Sequence, residues 1–100
     1  MDSNTINLLY VDRLTILFFY AESNSLQEIK NVEKQVKEFL PSIDLLKINV
    51  RSNPKVGTSF RVHATPAALI LQNGKEVWRQ TNDFSEKELC NYLSLVSTQK

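Results

Sequence analysis

Few side chains in this 100-residue chain could carry covalent or metal chemistry, because it has one cysteine, Cys90, and one histidine, His63. A structural zinc ion ordinarily takes four protein ligands and a catalytic one three, so these two residues do not make a metal site. A single cysteine also excludes a disulfide within the chain. We therefore expect no metal, no cofactor and no disulfide-stapled fold.

Two arrangements could still support an enzyme. Ser25 and His63 would act as nucleophile and base if the fold brought them together, but no acid that could orient the histidine is identifiable. Cys90 follows Leu89 on a predicted helix and would flank its buried face, where an unpaired cysteine packs as a small hydrophobic residue. The alternative is an exposed thiol that forms an intermolecular disulfide or exchanges as a single thiol.

Charge and hydropathy exclude further classes of function. Lysine and arginine total 12 against 11 acidic residues, so there is no basic excess to bind a phosphate backbone, and we expect no nucleic-acid partner. The apolar run at residues 14–21 is far shorter than the roughly 20 residues of a membrane span, and residues 1–4 lack the basic start of a signal peptide. These features predict a cytoplasmic protein with no membrane partner.

The first half of the chain predicts a strand, a helix and a second strand. Residues 14–21, LTILFFYA, are a continuous run of apolar β-formers, typical of a central strand buried on both faces. Residues 25–40 place apolar side chains three and four apart, which predicts an amphipathic helix that starts at Ser25 with a Ser-Leu-Gln-Glu capping box. Residues 45–50 alternate in polarity, with an apolar face made of Leu46, Ile48 and Val50.

The second half predicts a short helix, a hairpin and a final helix. Asn53-Pro54 is typical of a helix start, and Val56 and Phe60 would share one face. Strand-like runs at residues 67–72 and 76–81 flank Asn73-Gly74, the dipeptide that best suits a tight hairpin turn. A second capping box, Ser-Glu-Lys-Glu from Ser85, then begins a helix whose apolar face is Phe84, Leu89, Tyr92, Leu93 and Val96.

This order of elements predicts a single domain over residues 1–100, with a mixed sheet and helices on both of its faces. Residues 1–12 suit either a short helix or an edge strand. Residues 97–100 are expected to be a disordered tail.

Several separated landmarks resemble the thioredoxin family over about residues 15–93. Residues 19–27, FYAESNSLQ, look like the end of the family's strand and its W-C-G-P-C loop, while Lys47-Ile48-Asn49-Val50 with Asn53-Pro54 looks like its next strand and turn. Residues 62–66 and Asn73-Gly74 match later landmarks. The resemblance implies an α/β thioredoxin-like fold with a mixed four- or five-stranded sheet. It also implies a cis peptide bond before Pro66, beside a peptide-binding groove.

The departures from the family pattern concern its chemistry. Asn24 and Gln27 stand where the resemblance implies the nucleophilic and resolving cysteines, and an amide forms neither a thiolate nor a disulfide. Phe18 replaces a buried aspartate that assists proton transfer, Ser23 replaces an exposed tryptophan, and Asn82 stands near a glycine that opens the groove. Dithiol–disulfide oxidoreductase activity is therefore not expected.

These comparisons lead to three candidate surfaces. The first is the active-site-equivalent loop, which is either a polar binding loop or simply a helix cap and comprises Ser23, Asn24, Ser25, Leu26 and Gln27. The second is a partner groove of Thr65, Pro66 and Asn82. The third is an edge contact at Trp78, which either faces a partner or packs under a helix.

The resulting functional hypothesis is a redox-inactive thioredoxin-like domain that acts as a protein-binding or scaffold module, with the partner's identity unknown. An enzyme that uses Cys90 or the Ser25/His63 pair is the first alternative. A structural homodimer subunit, joined through open strand edges, is the second.

Overall fold

The computed structural model describes residues 14–81 and 85–97. Within them the chain forms four strands and three helices. In chain order these elements are β1 (Leu14–Tyr20), α1 (Ser23–Phe39), β2 (Asp44–Asn49), α2 (Pro54–Ser59), β3 (Ala67–Gln72), β4 (Lys75–Thr81) and α3 (Glu86–Ser97).

The strands make one mixed sheet in the order β2-β1-β3-β4. Strand β1 is parallel to β2 and antiparallel to β3, and β3 is antiparallel to β4. The four residues from Ile16 to Phe19 are all buried, as expected for an apolar run with neighbours on both sides and layers on both faces. The structure thus confirms the predicted mixed sheet and its central strand.

Two apolar clusters cover the two faces of the sheet. On one face, the buried residues come from β1, β3 and both long helices: Ile16, Phe18, Ala68, Ile70, Ile29, Val32, Val36, Leu89 and Leu93, together with Ile43 after α1. On the other face, Leu17, Phe19, Ala67 and Leu69 pack with Phe60 and Val62, which follow α2. Helical segments therefore flank both faces, as predicted.

Helix α1 does not start where the sequence suggested. It begins at Ser23, its N-cap is Glu22 in an extended conformation, and the Glu22 carbonyl already accepts the Leu26 N–H at 3.2 Å. Ser25 therefore lies inside the first turn, where its own N–H is bonded to Asn24 Oδ1 at 2.9 Å, so the predicted capping box at Ser25 is wrong. Several consecutive polar residues could each cap this helix, and periodicity alone does not choose between them.

Helix α3 starts as predicted, with Ser85 Oγ accepting the Glu88 N–H at 3.3 Å. In a complete capping box the Glu88 side chain would accept the Ser85 N–H directly. Here Gln80 of strand β4 lies between the two groups and bonds to both. Gln80 Oε1 accepts the Ser85 N–H at 2.9 Å, and Gln80 Nε2 donates to the Glu88 carboxylate at 2.5 Å. The amide of Gln80 therefore ties β4 to the start of α3.

The hairpin matches its prediction, with positive φ angles of 55° at Asn73 and 82° at Gly74. A residue without a Cβ adopts the second of these at little cost. The register shifts between Ile70 and Leu71, so that Trp78 lies opposite Ile70 and Glu76 opposite Leu71. Val77 lies between them as the extra residue of this irregularity.

Two predicted apolar faces are only partly buried. Leu46 is 55% exposed because β2 is the outer strand on its side of the described sheet. Val56 is 37% exposed, whereas Phe60, at the C-cap of α2, packs on Phe19 with ring centroids 5.9 Å apart. Asn53 is at the N-cap of α2, but its side chain donates to the Asn49 carbonyl at 3.0 Å instead of capping the helix.

Some predictions fall outside the described residues. These include the structure of residues 1–12 and the positions of Asn82 and Phe84. Ser97 is still helical, so the tail predicted from residue 97 is wrong at that position. None of the described helices is both long enough and apolar enough to cross a bilayer.

Candidate functional site

One end of the sheet brings together the segments that the sequence singled out. Tyr20 at the end of β1 lies opposite Asn49 at the end of β2, and Phe19 lies opposite Ala67 at the start of β3. Ala67 in turn lies opposite Thr81 at the end of β4. We call this end the loop edge: residues 21–27, 49–53 and 65–66.

The active-site-equivalent loop is the start of α1, and most of its side chains are polar and accessible. Ser23, Asn24 and Gln27 are exposed, whereas Ser25 and Leu26 are half-buried. Gln27 Nε2 is 3.4 Å from Asn31 Oδ1, one helical turn further on. The loop therefore forms a helix start that presents amide and hydroxyl groups to solvent, but its serine and asparagine side chains do not cap that helix, because the N-cap is Glu22.

Residues that the sequence reading missed fix the loop edge. The Arg51 guanidinium donates to the Glu22 carboxylate, so the residue before α1 is paired with the turn after β2. Asn49 Oδ1 accepts the N–H groups of Arg51 at 2.8 Å and Ser52 at 3.2 Å, which forms an Asx turn. The pattern Asn-x-x-Ser-Asn-Pro is typical of a turn. It does not indicate the ion pair between Arg51 and Glu22, which are 29 positions apart.

The groove residues Thr65 and Pro66 are half-buried beside the start of β3. The peptide bond between them is cis, which is the isomer that the resemblance implied. Asn82, the third groove residue, follows Thr81 but lies outside the described residues.

The structure does not assemble the Ser25/His63 pair. His63 is exposed, and within the described segments no hydrogen bond joins it to Ser25 or to an acid. The nucleophile–base arrangement therefore lacks the contacts on which it depends. In the same part of the chain, no group of three or more histidine, cysteine or acidic side chains lies close enough to hold a metal ion.

The position of the implied buried acid is wholly apolar. Phe18 is 0% exposed and packs among aliphatic side chains of β3, α1 and α3. No polar or charged side chain is buried among the described residues. An aspartate at this position would lose hydration without a matching partner, which favours its neutral form.

The remaining thiol is not activated. Cys90 is half-buried against the cluster of α1 and α3. Burial raises the pKa of the Cys90 thiol, and the nearby Glu86 carboxylate raises it further. Because the thiolate is the nucleophile, this environment makes Cys90 less reactive than an ordinary cysteine.

Trp78 packs under a helix, which was one of the two alternatives for this residue. Its ring stacks on Tyr92 of α3 with centroids 6.0 Å apart and an interplanar angle of 27°. Val77, the next residue toward the start of β4, is 37% exposed. Strand β4 is still an outer strand of the described sheet.

Solved structures with the same fold include several thioredoxins. Thioredoxin-2 of a malaria parasite superposes with a TM-score of 0.72 at 19% identity, covering 83% of this chain and 82% of its own. Fasciola hepatica thioredoxin gives 0.68 at 21% identity, with 92% and 88% covered. A mutant thioredoxin from Halobacterium salinarum gives 0.72 at 17% identity, with 96% and 86% covered. At these identities the similarity shows the fold alone.

No curated protein is similar enough in sequence to count as a match. A family model does match, and it spans the described strands, the loop edge, the first two helices and most of α3. The model is that of thioredoxin, and it covers residues 7–94. The chain therefore belongs to the thioredoxin family, and it does so with a single cysteine, Cys90.

Proposed function

We propose that this protein is a redox-inactive thioredoxin-family domain that holds a protein partner at its loop edge. The observation that carries the proposal is the first turns of α1. There Asn24 and Gln27 present exposed amides at the positions that the resemblance assigns to the cysteine pair. The scaffold is kept, and the groups that would react have been replaced by groups that hydrogen-bond.

The loss of dithiol chemistry follows from the number and setting of the thiols. Dithiol–disulfide exchange needs an attacking thiolate and a second thiol that resolves the mixed disulfide. Cys90 is alone in the chain, and its raised pKa disfavours even the first step. The raised pKa of the Cys90 thiol also weakens the alternative of an enzyme that uses a single thiol.

The loop edge suits a protein partner bound through hydrogen bonds. Ser23, Asn24, Gln27 and Thr65 offer neutral donors and acceptors, and the exposed ion pair beside them, between Glu22 and Arg51, carries no net charge. Such a surface does not select strongly for highly charged ligands. A single unpaired cysteine also fits a reducing compartment, and we propose the cytoplasm.

Capture with matched variants tests the binding role. The tagged full-length chain is incubated with native lysate under mild crosslinking, beside Gln27→Lys and the control Gln35→Lys. Both glutamines are exposed on α1, but only Gln27 belongs to the loop edge. We expect a specific protein that Gln27→Lys loses and Gln35→Lys retains. Failure to recover such a protein, or its equal retention by both variants, would contradict binding at this edge.

Insulin reduction by dithiothreitol tests the redox part separately. We expect turbidity to develop at the uncatalysed rate with the wild-type chain and with Cys90→Ser alike. A wild-type rate well above background that Cys90→Ser abolishes would show that this thiol carries out chemistry.

A further inference from the structure

Arg79 of strand β4 reaches across to the end of α2. Its Nη2 donates to the Phe60 carbonyl at 2.5 Å and its Nη1 to the Arg61 carbonyl at 3.0 Å. On its other side it makes a two-pronged contact with the Glu76 carboxylate, with distances of 2.9 Å from Nε and 2.8 Å from Nη2. One guanidinium thus joins β4 to two successive carbonyls some 18 and 19 residues earlier in the chain.

The two carbonyls lie at the start of the segment that leads to the groove. Arg61 has a positive φ of 57°, and its N–H donates to the Thr58 carbonyl at 3.0 Å. The Val62 N–H donates to the Gly57 carbonyl at 2.9 Å. From there the chain runs without helix or strand through Thr65 and Pro66 to β3. The hydrogen bonds from Arg79 therefore fix the start of this segment, and the pairing of β3 within the sheet fixes its end.

Four hydrogen bonds orient this arginine. A cavity of about 370 Å³ lies beside it, lined by Ser59, Phe60, Arg61, Glu76 and Arg79. A planar fork that donates in several directions can satisfy a carboxylate and two carbonyls together, which a lysine ammonium on a flexible stem does less well.

We infer that Arg79, oriented by Glu76, is the positioning residue for residues 60–66 and through them for the partner groove at Thr65 and Pro66. The part that concerns the groove rests on the proposed function. The part that concerns residues 60–66 does not, and the two are tested by different measurements.

Limited trypsin digestion reports on the segment directly. A serine protease that cleaves after Arg61 must bind the carbonyl oxygen of Arg61. In the native chain this oxygen accepts a hydrogen bond from Arg79. The variants are Arg79→Gln, Arg79→Lys and Glu76→Gln. The matched control is Glu33→Gln, which removes the carboxylate of the Lys47–Glu33 pair and leaves every tryptic site in place. Cleavage at Lys55 within α2 serves as the internal reference.

We expect cleavage between Arg61 and Val62 to rise about tenfold in Arg79→Gln relative to cleavage at Lys55, since hydrogen bonds to a charged donor are lost. Glu76→Gln should give a smaller rise, Arg79→Lys should not restore protection, and Glu33→Gln should resemble wild type. Unchanged cleavage in Arg79→Gln would overturn the inference. An equal rise at all sites with a lowered Tm would also overturn it, because it would mean a general stability effect. Full protection by lysine would show that charge alone suffices and would reject the role of the planar fork.

The link to the groove is measured on the protein recovered by the capture experiment above. Arg79→Gln should weaken its binding, and amide NMR shifts should change from Val62 to Thr65 while those of β2 stay in place. Altered shifts with undiminished binding would overturn the link to the groove and leave the proposed function standing. If no partner is recovered, the proposed function fails, and the digestion result still decides whether Arg79 positions the segment.

Discussion

Cys90 illustrates how a residue's surroundings decide its chemistry. Burial, and then the Glu86 carboxylate, raise the pKa of its thiol. At neutral pH the thiolate fraction should therefore be below that of an ordinary cysteine, and alkylation by iodoacetamide should be slower than for N-acetylcysteine amide. The rate measured against pH should show its midpoint above that of the model thiol. Glu86→Gln should lower this midpoint slightly, and a midpoint below that of N-acetylcysteine amide would contradict the assignment.

Glu76 should make stability depend on pH in the acid range. Its hydrogen bonds from Arg79 lower the pKa of its carboxyl in the folded chain. The unfolded chain then binds protons more readily, so the stabilisation is present above the unfolded pKa and is lost as pH falls through the folded pKa. The side chains of Arg79 and Glu76 are 30% and 39% exposed. Because solvent screens such a pair, we expect it to contribute less than about 1 kcal/mol to the free energy of unfolding.

Urea denaturation of wild type and Glu76→Gln at several pH values from neutral to acid measures this contribution. The stability gap between the two proteins should narrow on acidification. A gap that is constant with pH would show that the carboxylate charge contributes nothing to the pair.

The helix starts give the clearest prediction at the level of elements. Ser85 Oγ accepts the Glu88 N–H at the start of α3, whereas Ser25 is inside the first turn of α1. Ser85→Ala should cost about 1 kcal/mol of unfolding free energy, as the loss of an N-cap does. Ser25→Ala should change it by less than about 0.5 kcal/mol, because alanine is the better helix former. Urea denaturation of the two variants tests this, and equal losses would contradict the observed start of α1.

Local sequence signals predicted those elements whose structure depends on local physics. The apolar run of β1, the strand-like run of β3 and the turn at Asn73-Gly74 are all reproduced. The start of α1 was placed two residues late because neighbouring polar residues satisfy the same capping preference. The exposure of Leu46 depends on which strand lies at an edge, and this is decided by the order of the sheet.

Side-chain contacts between different elements could not be predicted from the sequence. Arg79 with the Phe60 carbonyl, Arg51 with Glu22 and Gln80 with Ser85 each connect different elements. Their residue types carry no periodic signal, and they depend on register and on side-chain reach. The candidate loop and groove were placed through family resemblance, and the strand pairing at Tyr20, Asn49 and Ala67 explains physically why those segments meet.

At the scale of the whole molecule, the sheet still brings the segments of the loop edge together, although the cysteine pair implied by the family resemblance is absent. Residues 24 and 27 are three apart in α1, a spacing at which two side chains share a face and two Cα atoms lie within disulfide range. The double variant Asn24→Cys/Gln27→Cys should therefore form an intramolecular disulfide on oxidation. It should also reduce insulin disulfides faster than wild type in dithiothreitol. The rate should remain low, because buried Phe18 offers no group to assist proton transfer to the second thiol.

Thiol counting and the insulin assay together measure this outcome. The oxidised double variant should retain one reactive thiol after denaturation, that of Cys90, whereas the single variant Asn24→Cys should retain two. Three thiols in the oxidised double variant would mean that the start of α1 does not hold residues 24 and 27 within bonding range. A disulfide that forms without any gain in insulin reduction would place the loss of activity in the groove and in the buried site at Phe18, as well as in the missing cysteines.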